Sequence, residues 1–319
     1  MPTHRIDAGP DTAHWGWFSA RATPVVTVDS GDTVIITSVS GTPEVMPPDE
    51  MTVRPELLAI HDKVERKLPG HILTGPVAVR GAMPGDVLEV RILDVALADD
   101  WGYTITRPLA GALPLEVGRT LIHTAIDQTA GTGRLPWGTE LKMAPFFGVM
   151  GVAPPDDWGM ISTIQPRAHG GNLDNKELVA GTTLFLPVMA EGALFSCGDG
   201  HGVQGDGEVC VTAVETGLTG TFELHLHKGL GWDYPRAVTP DHLMTMGMHA
   251  DLDTAAQDAL RRMVDWITDL SDLTRDEALM LISLSGDVRV TQLVNEQKGS
   301  HVMMSKAILA TLPGAKPAL

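Results

Sequence analysis

Apolar and polar residues alternate along two stretches of similar shape. VVTVDSGDTVIITSV runs from Val25 to Val39, and VAVRGAMPGDVLEVRILDV runs from Val77 to Val95. A period of two puts the apolar side chains on one face of an extended chain, which predicts half-buried strands. Each stretch is interrupted by Gly-Asp. The glycine reaches positive φ without steric cost, and the aspartate bonds backbone N–H groups close to itself. KELVAGTTLFLPV, from Lys176 to Val188, is a looser third version. The spacing of the three is too irregular for a sequence repeat. Short strands punctuated by turns predict a mainly β (α+β) fold with a sandwich- or barrel-like core.

Over residues 101–171 the periodicity fades. APFFGVMGVAPPDDWG and QPRAHGGNLDNKEL are rich in Gly and Pro, which predicts long loops with short strands. Long loops inside a compact domain tend to carry function. From Asp253 onward the period changes: Ala256, Leu260, Met263, Ile267 and Leu270 recur at helical spacing. Thr274 and Glu277 have the spacing of a capping box at the start of a second helix. DVRVTQLV then reads as a strand or extended segment. The expected organisation is a β-rich catalytic core over 1–235, with an α/β C-terminal segment over 236–319 packed on it. The Met-rich pieces HLMTMGMHA and HVMMSK read as adaptable core filler.

Composition narrows the partners. Of 319 residues 43% are apolar, enough for a true core. Lys and Arg total 23 against 40 Asp and Glu, a formal charge of −17. Such a surface repels phosphate backbones and anionic lipid, so neither nucleic acid nor membrane is an expected partner. Two cysteines, Cys197 and Cys210, make no disulfide framework. MPTHRIDAGPDTAHWGW lacks the apolar core of a secretory signal, and no apolar run reaches the ~18 residues of a span. A cytoplasmic protein acting on small molecules is the expectation.

The chemistry concentrates in SCGDGHGVQGDGEVC, Ser196 to Cys210, where two aspartates, a histidine, a glutamine and a glutamate are spaced by five glycines. On an extended backbone Asp199 and His201, two apart, face the same way. A carboxylate and an imidazole together suit a divalent metal such as zinc, and bare glycines let an ion or substrate approach. Glu208 follows past a predicted turn, as a further ligand or as a general base acting on water. In HGGNLDNKEL, Asn172 and Asp174 are again two apart, and Asp174 offers another carboxylate to the same centre. His71, in GHILTGP, precedes a strand and is a weaker candidate.

Other chemistries have less support. His225 and His227 in ELHLHKG form the His-x-His pair of a cupin-like metal strand. The glutamate such a site needs after the pair is missing, and an alternating strand face explains them as well. Cys197 with His201 as base would make a metal-free hydrolase, but nothing nearby marks an activated thiol. Gly-x-Ser-x-Gly, Walker-type and dinucleotide-binding motifs are absent.

The stretches LTGPVAVRGAMPGDVLEVRILDV, PFFGVMGVAP, GGNLDNKELVAGTTLFLPVMAEGALFSCGDGHGVQGDGEVCVTAVET and DVRVTQLVNEQKG resemble the acetamidase/formamidase family. They are spread from about Val25 to Gly299. The resemblance implies a mainly β fold with α/β additions, and hydrolysis of a short carboxamide to the acid and ammonia. It also implies a metal, taken as zinc, and a homo-oligomer. The acidic and histidine positions of the family fall on Asp174, Asp199, His201 and Glu208. On this reading Asp199 and His201 hold the metal with Asp174 and His71, Glu208 shuttles the proton, and Gln204 or Asn172 orients the amide. The stretch from Val39 to Ile72 departs from the family pattern. If it lines the pocket, an amide larger than formamide or acetamide is expected.

Overall fold

The structure, a computed structural model, describes residues 2–317. Two sheets stack face to face. One has nine strands in the spatial order Thr3–Ile6, Thr33–Thr37, Leu218–His227, Val87–Leu97, Thr183–Pro187, Arg236–Val238, His242–His249, Lys298–Ser305 and Asp287–Gln292. The other has six: Gly170–Asn172, Phe146–Gly151, Phe195–His201, Ile72–Val79 and Ala13–Trp15 in order, with Val26–Val28 parallel to Ile72–Val79. Between them Ile36, Leu88, Val90, Leu184 and Phe222 from the larger sheet meet Val77, Phe147, Phe195 and Cys197 from the smaller, all wholly buried. The Phe222 ring takes Phe147 and Phe195 edge-on, with centroids 5.5 and 5.9 Å away. This is the favoured geometry for aromatic pairs. The fold is the mainly β sandwich expected.

The two Gly-Asp stretches are arches between the sheets. Val26–Val28 lies in the smaller sheet and Thr33–Thr37 in the larger; Ile72–Val79 and Val87–Leu97 divide the same way. Gly31 (φ 96°) and Gly85 (φ 93°) turn the chain. Asp32 Oδ2 accepts the Asp29 N–H at 3.0 Å, and Asp86 Oδ2 accepts the Met83 N–H at 2.8 Å. The third version holds one strand, Thr183–Pro187, because the chain before it winds through turns in which Leu178 N–H bonds Asn175 O and Thr182 N–H bonds Val179 O.

Residues 101–171 contain more regular structure than the sequence suggests. Trp101–Thr106, Thr120–Asp127, Thr132–Arg134 and Glu140–Lys142 form a four-stranded antiparallel sheet. Its longest strand, Thr120–Asp127, buries only Thr124 and Ile126. With so little of it buried, the apolar alternation is weak and the strand reads as loop.

The C-terminal segment carries the larger sheet onward through the pairing of Arg236–Val238 with Thr183–Pro187. Helices Leu252–Leu270 and Arg275–Ser285 cover it, packing Met263, Ile267 and Ile282 with Leu243, Val302 and Met304. The first is capped by Asp251, which accepts the Thr254 N–H at 2.8 Å. The second has the capping box of Thr274 and Glu277. Among the described residues no helix is long and apolar enough to cross a membrane.

Candidate functional site

The site lies at the smaller sheet, where the strand Phe195–His201 runs beside Phe146–Gly151. His201 ends its strand opposite Phe146, whose ring meets the imidazole edge-on at 5.0 Å. Around His201 Nε2 stand Asp199 Oδ2 at 3.3 Å, Glu215 Oε1 at 3.4 Å and Asp174 Oδ1 at 3.8 Å. Two groups of donor atoms share His201: Asp174, Asp199 and His201, and His201, Glu208 and Glu215. Within each, the ligand atoms lie within 4.8 Å of one another. All five residues are buried.

Asp199 does not face the cluster through simple alternation. Its φ is 56°, inside a strand, and Asp174 (44°) and Glu208 (42°) are also left-handed. Among the described residues only eight non-glycine positions have positive φ, and three of them are these carboxylates. Such a conformation costs on the order of 1–3 kcal/mol and persists where the surroundings over-determine it. Here the strain aims acidic side chains at one point.

Hydrogen bonds set the polarity of that point. Gln204 Oε1 lies 2.8 Å from His201 Nδ1, and Gln204 Nε2 donates to the Asp174 carbonyl at 2.8 Å. Because the Gln204 nitrogen is committed as a donor, its oxygen accepts, so Nδ1 carries a proton and Nε2 is the nitrogen that faces the acids and is placed to ligate a cation. Each end of the Gln204 amide thereby has a partner within the protein, which places it to position His201. Asn295 Nδ2 donates to Asp174 Oδ2. What remains without any partner is Asp174 Oδ1, His201 Nε2, Glu208 Oε2 and Glu215 Oε2.

The electrostatics match the geometry. Burial, then the Asp174 carboxylate, pushes Glu208 well above the usual carboxylate range, and burial does the same to Glu215. Burial raises Asp174 to about 6. Burial also works to raise Asp199, but His71 and His201 outweigh it and hold Asp199 low. For His201 burial works downward and is outweighed by Glu215 and Asp199, which raise it. Four buried acids around one imidazole need protons or a cation to compensate their charge.

The residues fit a divalent cation on structural grounds. Asp174, Asp199 and His201 bring donor atoms together, two of them orphaned, and the space beside them is held open by Gly148. A Cβ there would lie 2.5 Å from Asp174 Oδ1, 2.7 Å from Asp199 Oδ2 and 2.8 Å from His201 Cε1. An imidazole with carboxylates is a donor set for zinc, and its oxygens also suit harder ions.

A family model described as the acetamidase/formamidase family matches residues 7–161 and 157–304. The chain belongs to this family. A crystal structure of an acetamidase from Bacillus halodurans is 31% identical with a TM-score of 0.83, over 97% of this chain and 99% of that one. An acetamidase of Mycolicibacterium smegmatis is 29% identical over 220 residues, 50% of this chain and 53% of that protein. A formamidase of Methylophilus methylotrophus is 27% identical over 197 residues, 44% of this chain and 47% of that protein. The match thus spans about half the length of these curated relatives.

In this member of the acetamidase/formamidase family, Asp174, Asp199, His201 and Glu208 come together. His71 stands at the rim: its Nε2 is 3.7 Å from Asp199 Oδ2, outside both donor groups. Asn172 Nδ2 donates to Ile164 O at 3.1 Å, and its Oδ1 is buried without a partner. His225 and His227 face out from the larger sheet, each 2.5 Å from a carboxylate, Glu223 and Glu89. Those contacts leave no grouped ligand set, so the cupin-like reading falls. Cys197 lies wholly inside the core, where burial pushes its thiol far up; it is no nucleophile.

Glu215, Asn295 and Tyr103 escaped the sequence reading. Glu215 was signalled only as a lone acid in the apolar run VTAVETGL. The other two arrive from strands and loops far along the chain. A cavity of about 50 Å³ reaches the cluster at Asp199, lined by Trp15, Val39, Ser40, Gly41, Thr42, Gly70, His71, Ile72 and Tyr103. The divergent stretch from Val39 to Ile72 therefore does line it.

Proposed function

We propose that this protein hydrolyses a small, neutral carboxamide to the carboxylic acid and ammonia, with a divalent cation held by Asp174, Asp199 and His201. The observation that carries the reading is the buried group of Asp174, Asp199 and His201 around the gap kept by Gly148, with Asp174 Oδ1 and His201 Nε2 unpartnered and Glu208 and Glu215 grouped on the same imidazole. Bound there, zinc or a similar ion supplies the Lewis acidity that polarises an amide carbonyl and makes water acidic.

The protein's own residues do the rest. Gln204 fixes the His201 tautomer, and Asn295 turns one oxygen of Asp174 aside so that the other is free. Glu208 takes a proton from the attacking water and delivers it to the departing nitrogen. Its raised proton affinity suits a group that must both accept and donate. Amide nitrogen leaves only when protonated, so this transfer is required.

The size of the cavity supports a short substrate. A water-sized group needs roughly 10–15 Å³ of such space, so about 50 Å³ takes a ligand of a few non-hydrogen atoms. The names of the relatives, acetamidase and formamidase, agree with this. A homo-oligomer belongs to the same reading; exposed Leu109, Leu113, Leu115 and Val209 support it, and sedimentation tests it. Ammonia release across a panel of carboxamides, with and without a chelator, tests the activity. No release from any short amide would end the proposal.

A further inference from the structure

Two hydrogen-bond donors on the cavity wall, Tyr103 and His71, lie outside both groups of possible cation ligands. Tyr103 comes from the strand Trp101–Thr106, whose backbone is tied to Glu215: Tyr103 N–H to Glu215 O at 2.9 Å, and Glu215 N–H to Tyr103 O at 2.8 Å. The segment that brings Glu215 into the cluster therefore also fixes the phenol at the cavity. The ring edge lies against Gly41, where a Cβ would be 3.4 Å from Tyr103 Cε1. The phenol shares a side-chain hydrogen bond with Ser40, also on the cavity wall, and as a neutral phenol it has an O–H to donate.

His71 presents the opposite tautomer to His201. The buried Thr163 Oγ1 accepts the His71 backbone N–H at 2.8 Å and lies 3.3 Å from His71 Nδ1. His71 Nε2 faces the Asp199 carboxylate, which only accepts, at 3.7 Å; this places the ring proton on Nε2, and the Thr163 hydroxyl then donates to Nδ1. That N–H faces Asp199 and the cavity. His201 Nε2 is placed to ligate a cation; His71 Nε2 offers a proton.

We propose that Tyr103 and His71 are catalytic residues that donate, from Oη–H and Nε2–H, to the carbonyl oxygen of the bound amide and to the oxyanion that forms from it. The inference rests on the amidase reading above. As the water oxygen bonds to the carbonyl carbon, the π electron pair of C=O moves onto the oxygen held by the two donors. When the pair returns, the C–N bond breaks, and the nitrogen leaves as ammonia with the proton carried by Glu208. Donors fixed in advance hold developing charge without reorganisation, and removal of one such donor costs about 10²–10³-fold in turnover.

The test is acetamide hydrolysis with metal content and thermal unfolding measured on the same samples. Tyr103→Phe should lower kcat by about 10²–10³-fold while KM, bound metal and Tm hold near wild type. His71→Leu should lower kcat likewise with metal retained, and His71→Gln, which keeps an N–H near the same place, should recover part of it. Both Tyr103→Phe and His71→Leu within about three-fold of wild-type kcat would overturn the inference. Loss of metal from His71→Leu would make His71 a ligand and remove it from the proposed pair. A wild-type protein that releases no ammonia from acetamide would overturn the amidase reading for that amide, and this one with it.

Discussion

The Nδ1 nitrogen of His201 lies 2.8 Å from Oε1 of Gln204, and this contact decides which way the imidazole faces. Gln204→Leu should keep the fold but free the ring. Loss of a ligand's orienting partner costs about 10–100-fold in metal affinity. A metal titration by calorimetry reads the effect, and unchanged affinity would refute the orienting role.

Gly148 offers a direct probe of the gap between the ligands. Gly148→Ala puts a methyl within 2.5–2.8 Å of three site atoms. The strand backbone tolerates alanine, so circular dichroism should be unchanged while bound metal and amidase activity both fall. An alanine variant with full metal and full activity would place the cation elsewhere.

Glu208→Gln keeps the shape and removes the proton acceptor. Turnover should fall by ~10²-fold or more, as for loss of a general acid–base, with metal retained. Near wild-type turnover would assign proton transfer to another group, with Glu215 the next candidate.

Charge should govern the choice of substrate. The chain carries −17, no Lys or Arg lines the cavity, and Lys176 is spent on Asp206 at 3.2 Å. A neutral amide should exceed its carboxylated analogue in kcat/KM by at least ~10-fold at low salt, with the gap narrowing as salt rises. Preference for the anion at both salts would rule this out.

Acid should weaken the fold through three histidines away from the cluster. Burial lowers His14 to about 4, His169 to about 3 and His301 to about 4, from an ordinary 6.5. Above pH 6.5 folded and unfolded chains both hold them neutral, and their contribution is complete. Below it the unfolded chain takes up protons that the folded chain refuses, so stability falls with pH until about 4. The slope is about 1.4 kcal/mol per pH unit for each histidine. Urea unfolding at pH 7, 6 and 5 should show the loss, and His301→Gln should reduce the slope.

The acids of the Gly-rich block were legible because Asp199, His201 and Glu208 share one short segment, and Asp174 stands in a second of similar composition. Their roles were less so. Alternation predicted that Asp199 and His201 face together, whereas a left-handed residue within the strand turns Asp199 in. The bonds of Gln204 to His201 and to the Asp174 carbonyl, which give it a positioning role, join segments that no local pattern links. Glu215 and Asn295 depend on pairings across the chain that no local pattern encodes. The same limit hid the arches: alternation marks a strand, and it does not say which sheet the strand joins.

The strand order bears on how the protein is made. Val87–Leu97 ends between Leu218–His227 and Thr183–Pro187, yet it leaves the ribosome well before either. For that interval its two edges are open to any other chain, the condition under which nascent β proteins aggregate. Glu89, Arg91 and Asp94 break its apolar run and guard it while it waits. Slower translation or lower temperature during expression should therefore raise the soluble yield more than any change at the cluster.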